Sequence, residues 1–186
     1  LYEGMTGANI IKMMFRRGAG KNLTDEEAWE YYKVKGRYFN ELGEPEMMPG
    51  AKEVLQITKE AGLRNILVTG SNQPSILERI DSDYAGLFEA ERVTGIDTKN
   101  GKPNPEPYLR GQQKANAKPG ECIVIENAPL GVQAGHASGS FTIGVTTGPI
   151  PEKDLYKAGA DIVYPSMTAL AEALPSLLEA LRTTQL

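Results

Sequence analysis

Three short runs of this sequence place chemically useful side chains directly after an apolar stretch. Thr69-Gly70-Ser71-Asn72 follows the apolar run that ends at Val68, Lys102-Pro103-Asn104-Pro105 follows a polar turn, and Glu126-Asn127 closes Cys122-Ile-Val-Ile125. Small hydroxyls with a glycine, just ahead of a helix, suit an oxyanion, which hydroxyl and backbone N–H groups can grip without bulk. A lysine on proline-stiffened backbone beside a helix start is a counter-charge for a phosphoryl group. A carboxylate next to an amide offers the hard oxygen ligands that Mg²⁺ prefers, and neither is suited to filling a core. Singly, each run also reads as an ordinary polar turn or a surface lysine. In chain order they supply a hydroxyl, a lysine and a Glu-Asn pair, a set able to hold one phosphate between Thr69, Lys102 and a Mg²⁺ on Glu126 and Asn127. A nucleophile is not among them.

The elements that must position these residues follow from periodicity. Cys122 to Ile125 is apolar and largely β-branched, which predicts a strand buried on both faces of a parallel sheet, and Pro129 is suited to open the next helix. Asn65 to Val68 predicts a second buried strand, Phe88 to Thr94 a short one, and Phe141 to Val145 and Ala160 to Tyr164 two more. Helices are expected through Ser75 to Ile80, from Pro105 to Ala115, near Lys153 to Ala158, and after a Ser166 cap with Leu170, Leu174, Leu177, Leu178 and Leu181 as an apolar stripe. Alternating strands and helices predict an α/β fold, a doubly wound, Rossmann-like parallel sheet with helices on both faces. Open sheets of this kind bind ligands at the carboxyl ends of their strands, where all three runs fall.

Residues 1–46 read differently. Thr6 to Arg17 is amphipathic and ends at Gly18 and Gly20, while Thr24 and Glu27 form a capping box for a helix carrying Trp29, Tyr32 and Phe39. This small helical cap is expected to precede a core spanning residues 47–186, with Pro45 and Pro49 flanking the linker and a helix from Ala51 to Gly62 opening the core. The Met and aromatic residues of the cap are read as packing.

Composition narrows the partners. Charged residues make up 24% and hydrophobic ones 40%, and a net charge of -4 gives no reason to expect nucleic acid. A single cysteine, Cys122, rules out an internal disulfide framework and points to a reducing, cytoplasmic setting. It is read as a small core residue, and His136, the sole histidine, as a surface or helix-packing one. No apolar run reaches the length of a membrane span, so no membrane is expected, and a monomer is the simplest assembly. The chain begins at Leu1 without an initiator Met, which predicts an excerpt whose start lies further upstream.

Taken together, these residues resemble the haloacid dehalogenase (HAD) superfamily, and within it the β-phosphoglucomutase-like group. Val68-Thr69-Gly70-Ser71 is similar to that family's second motif, Lys102-Pro103 to the third, and Ile123-Val-Ile-Glu126-Asn127-Ala-Pro-Leu-Gly131 to the fourth. The resemblance implies phosphate-binding roles for Thr69, Gly70, Ser71 and Asn72, charge neutralisation by Lys102, and Mg²⁺ ligation by Glu126 and Asn127. Asn127 stands where most of the family carries aspartate. The first motif, a strand ending in Asp-x-Asp that supplies the phosphorylated aspartate, is absent from the sequence, so the chain as given is expected to open inside the cap and to be inactive. Tyr2-Glu3-Gly4 ahead of Thr6-Gly7-Ala8, with Ala-Pro-Leu-Gly after Asn127, looks most like a bacterial subgroup related to an inorganic pyrophosphatase. There a carboxylate at the position of Glu3 is thought to set substrate choice; the other reading of Glu3 is a solvated carboxylate near a helix start. The implied function is a Mg²⁺-dependent phosphatase of a small phosphorylated metabolite or pyrophosphate. Its rivals are a sugar-phosphate mutase and a phosphate-binding domain without catalysis.

Overall fold

The computed structural model describes residues 7–43 and 46–184, so Glu3 lies outside the described residues. The described residues begin with two helices, α1 (Gly7–Ala19) and α2 (Asp25–Glu41). The expected capping box is present: Thr24 Oγ1 accepts the Glu27 N–H at 3.2 Å and the Glu27 carboxylate accepts the Thr24 N–H at 2.9 Å. It satisfies two of the amide donors that a helix start leaves open. Gly20, at φ +64°, ends α1 in the left-handed conformation that glycine adopts without penalty. Ile11, Leu23, Ala28 and Tyr32 form the small core between the two helices.

The remaining elements alternate: α3 (Ala51–Glu60), β1 (Leu67–Val68), α4 (Pro74–Asp83), β2 (Arg92–Val93), α5 (Glu106–Ala115), β3 (Ile123–Glu126), α6 (Pro129–Ala137), β4 (Phe141–Val145), α7 (Glu152–Ala158), β5 (Ile162–Tyr164) and α8 (Met167–Thr184). All strand pairs are parallel, in the orders β1-β2 and β3-β4-β5. Alternation along β4 sets the layers. Ile143 and Val145 pack with Val54 of α3 and with Leu170, Leu174 and Leu178 of α8 on one face. On the other face Gly144 leaves room for Val163 and Leu155, and Leu155 packs with Val132 of α6. Helices therefore cover both faces, and the expected α/β class holds.

Between the two strand sets lies a cleft of about 680 Å³, lined by Leu67 and Val68 on one side and by Ile123 to Glu126 on the other. Among the described residues β1 pairs with β2 alone and β3 with β4 alone. This corrects the expectation of deeply buried strands at both places. Leu67, Val68, Ile123 and Ile125 are only half-buried, because each strand borders the cleft instead of a further strand. The first strand is also shorter than the apolar run from Asn65, whose side-chain amide instead donates to the carbonyls of Leu55 and Leu87, both at 2.9 Å. Cys122 stands ahead of β3, closing the 3-10 turn Pro119–Glu121, and is half-exposed with its thiol 3.3 Å from the Lys118 carbonyl. The thiol's pKa is raised by partial burial and then by the charge of Glu121. Ser166 does cap α8, accepting the Ala169 N–H at 3.0 Å. His136 is exposed, against Gly159. No described helix is long and apolar enough to cross a membrane.

Candidate active site

The tip of β1 is a turn held by its own hydroxyls. Thr69 Oγ1 accepts the Ser71 N–H at 3.1 Å, Ser71 Oγ accepts the Gln73 N–H at 3.3 Å, and Pro74 then opens α4. Because each oxygen is engaged as an acceptor, its hydrogen stays available to donate to an incoming oxyanion. The Thr69 N–H is itself tied to the Val93 carbonyl at 2.8 Å, which fixes the tip to the end of β2.

Lys102 is positioned by a loop latched onto α5. The Glu106 carboxylate accepts the backbone N–H groups of Lys99 at 3.0 Å and Asn100 at 2.9 Å, and Asn104 Oδ1 accepts the Glu106 N–H at 2.9 Å. Those two amides, and then Arg110, lower the Glu106 pKa to about 2. The Lys102–Pro103 peptide is cis. Out of this loop the Lys102 side chain turns inward and becomes buried, 6% exposed, which a surface lysine would not be.

What it meets is Glu126, at the end of β3. The Lys102 ammonium and the Tyr108 hydroxyl both donate to Glu126 Oε1, and Oε2 accepts the Asn127 N–H at 3.2 Å. The side chains of the pair are 7% and 9% exposed, so two opposite charges share a largely dry site. A desolvated pair of this kind persists only when its remaining hydrogen-bonding capacity is also met, and Tyr108 contributes to that. The Tyr108 pKa is pushed well above its ordinary value, first by burial and then by the charge and hydrogen bond of Glu126. Gly131 lies against the same carboxylate, where a side chain at that helical position would overlap it.

All three tips open into one cleft of about 270 Å³. Thr69, Gly70, Ser71, Lys102, Glu126 and Asn127 line it together. Asn72 does not; its neighbour Gln73 does. The opposite wall comes from α1 and α2 and includes Tyr32, Lys35 and Phe39. Lys35 is exposed, with its ammonium 5.8 Å from the Tyr32 ring centroid. Gly36 leaves space for the Gln73 side chain, which lets α2 approach the core at this point.

Reading the sequence alone missed Tyr108, Gln73 and Lys35. The only signal for Tyr108 was an aromatic hydroxyl one turn into the helix after Lys102-Pro103. For Lys35 there was none beyond a basic residue on a cap helix.

Among the described residues no group of three or more His, Cys, Asp or Glu side chains comes together. The cleft offers instead the Glu126 carboxylate with the adjacent Asn127 amide. That donor set suits Mg²⁺, which is commonly held by one or two carboxylates together with waters and substrate phosphate oxygens.

Comparison with known proteins agrees with this geometry. The family model described as haloacid dehalogenase-like hydrolase matches residues 9–139. Hexitol phosphatase A of Escherichia coli is 36% identical over 140 residues, 75% of this chain and 63% of that protein. The phosphorylated carbohydrates phosphatase of Thermotoga maritima is 34% identical over 131 residues, 69% of this chain and 59% of that protein. The matched region thus spans under two thirds of either relative. A solved structure from Bacteroides vulgatus, provisionally assigned as a β-phosphoglucomutase, superposes with a TM-score of 0.90 at 45% identity, covering 97% of this chain and 73% of that one.

Proposed function

The chain belongs to the haloacid dehalogenase-like hydrolases, and from that membership we propose that it forms the larger part of a Mg²⁺-dependent phosphatase acting on a small phosphorylated metabolite or pyrophosphate. The observation that carries the reading is the convergence of Thr69, Lys102, Glu126 and Asn127 on one cleft, with Lys102 and Glu126 nearly buried in it.

In this reading the Thr69 hydroxyl donates to an oxygen of the transferring phosphoryl group while its own oxygen stays on the Ser71 N–H. Ser71 and the backbone at Gly70 complete the wall beside it. Lys102 lies close enough to exchange its Glu126 contact for a phosphoryl oxygen, and so offsets charge as the phosphorus–oxygen bond breaks. Glu126 and Asn127 would hold Mg²⁺, which supplies Lewis-acid polarisation of a phosphoryl oxygen. Lys35 and Phe39, on the cap wall, face the part of the substrate that does not react. Substrate choice is assigned to the helical cap, residues 1–46, with Glu3, which lies outside the described residues, kept as a further candidate by its resemblance alone. The nucleophile is an aspartate on a parallel strand seated in the cleft between β1 and β3, whose tip would emerge beside Thr69 and Glu126. Neither a nucleic acid nor a membrane is assigned as a partner, and a cytoplasmic monomer is proposed.

A mutase is the second reading, favoured by the likeness to the B. vulgatus structure. The deciding experiment compares this chain with a version that adds a strand ending in Asp-x-Asp ahead of the cap, using pyrophosphate, hexitol phosphates and glucose phosphates, with and without EDTA. Free phosphate is expected from the longer version alone and only without EDTA. Equal turnover by both versions overturns the nucleophile assignment, and interconversion of glucose 1- and 6-phosphate with little free phosphate selects the mutase.

A further inference from the structure

Tyr108 has no place in the chemistry proposed above, yet it touches both charged members of the site. Its hydroxyl donates to Glu126 Oε1, and the Lys102 ammonium stands 4.9 Å from its ring centroid. The ring is 7% exposed and is clamped by Val124 of β3, Ala134 of α6 and Val68 of β1. It is anchored to the strands that end at the cleft and to the helix packed on them. Its backbone is equally fixed, because the Tyr108 N–H closes the first turn of α5 on the Pro105 carbonyl at 3.0 Å, just past the Lys102 loop.

From this arrangement we propose that Tyr108 is a positioning residue: its hydroxyl holds the Glu126 carboxylate in the orientation that presents an oxygen to a divalent cation, and keeps Lys102 from claiming both oxygens. The inference rests on the reading of Glu126 as a metal ligand. The physical reason lies in the sharing of one oxygen. Lys102 and Tyr108 both sit on Oε1, while among the described residues Oε2 receives the backbone contact from Asn127. An ammonium and a carboxylate alone in so dry a place attract each other strongly and have no preference for one oxygen over the other. A neutral donor on a rigid ring does have such a preference. When an oxyanion draws the ammonium away, the Tyr108 hydrogen bond remains and the carboxylate keeps its rotamer. Without the hydroxyl the carboxylate is free to turn onto Lys102, and a cation must break a tighter pair to enter. Partners that orient a metal ligand in this way are typically worth about 10–100-fold in metal affinity.

The test is Tyr108→Phe in the full-length protein, with Mg²⁺ alone titrated by calorimetry. Glu126→Gln and the double variant complete a cycle, and the magnesium dependence of kcat and KM is measured alongside. Tyr108→Phe keeps the ring and is expected to raise the Mg²⁺ dissociation constant about 10–100-fold, with a matching rise in the magnesium concentration giving half-maximal rate and a smaller change in kcat at saturating metal. In the Glu126→Gln background the same substitution should have no further effect on Mg²⁺ affinity. Wild-type Mg²⁺ affinity in Tyr108→Phe, with Glu126→Gln clearly weakened, overturns the positioning role and leaves the metal site standing. Wild-type affinity in Glu126→Gln overturns the metal assignment itself. If Tyr108→Phe unfolds, Tyr108→His retains a ring and a donor: affinity near wild type supports the role, and affinity lost in a folded Tyr108→His counts against it.

Discussion

The Glu126 carboxylate lies directly against the α-carbon of Gly131, one turn along in sequence, so that no β-carbon fits between them. Glu126 ends β3 and Gly131 belongs to the first turn of α6, which leaves the carboxylate on the amino end of a helix. The helix dipole there favours negative charge, and the missing side chain is what permits the approach.

Gly131→Ala therefore inverts an ordinary expectation. An alanine inside a helix stabilises by about 0.5–1 kcal/mol over glycine, but here the added methyl must displace a carboxylate that is pinned by Lys102 and Tyr108. A net loss of about 1–3 kcal/mol is expected from overpacking. Urea unfolding measures it, and phosphate or Mg²⁺ binding should weaken in the same variant.

The Lys102–Glu126 pair should show the asymmetry of buried charges. Lys102→Met leaves a carboxylate that is 9% exposed without its cation, and should cost about 3–5 kcal/mol, toward the lower end because the pair borders the cleft. Lys102→Met combined with Glu126→Leu should recover a good part of that loss. Chemical denaturation of the two variants beside the wild type checks both, with no dependence on activity.

At Thr69 the expected effect is on binding and turnover. The hydroxyl braces the turn at the very end of β1 and keeps a hydrogen to donate. Thr69→Val removes a hydrogen bond to a charged phosphoryl oxygen, worth about 1.5–3 kcal/mol, or roughly 10–150-fold in kcat/KM. Thr69→Ser should retain most of it. Steady-state kinetics on the active protein separates the two.

Acid should loosen the Lys102 loop through Glu106. Its pKa falls from an ordinary 4.5 to about 2 in the folded protein, chiefly through the Lys99 and Asn100 amides. A depressed carboxylate contributes stability that is present above its unfolded pKa and lost as pH falls through the folded one. Glu106→Gln should thus melt below the wild type near neutral pH, and the gap should close between about pH 4.5 and 2. A gap that stayed constant across that range would show that the charge on Glu106 is not what holds the loop.

The reach of the sequence can be seen residue by residue. Thr24 and Glu27 announced their capping box and Phe141 to Val145 its strand, because both are local: a cap needs a hydroxyl and a carboxylate at fixed spacing, and a strand buried on both faces needs a β-branched run. Thr69, Lys102, Glu126 and Asn127 were legible as types at strand ends, since polar groups that cannot fill a core stand out after an apolar run. The length of β1 and the burial of β1 and β3 were not legible, because both depend on what lies alongside, and a cleft borders one edge of each strand.

By itself, then, the sequence determined the alternating parallel architecture, the order of the three polar tips and the kinds of ligand they suit, all of which follow from backbone preference and periodicity. Only the tertiary structure decided that Lys102 and Tyr108 share one oxygen of Glu126, that Gln73 and not Asn72 lines the cleft, and that Lys35 reaches it from the cap. Those outcomes depend on the phase at which each helix meets the sheet and on how closely two backbones approach, and no local pattern along the chain encodes either quantity.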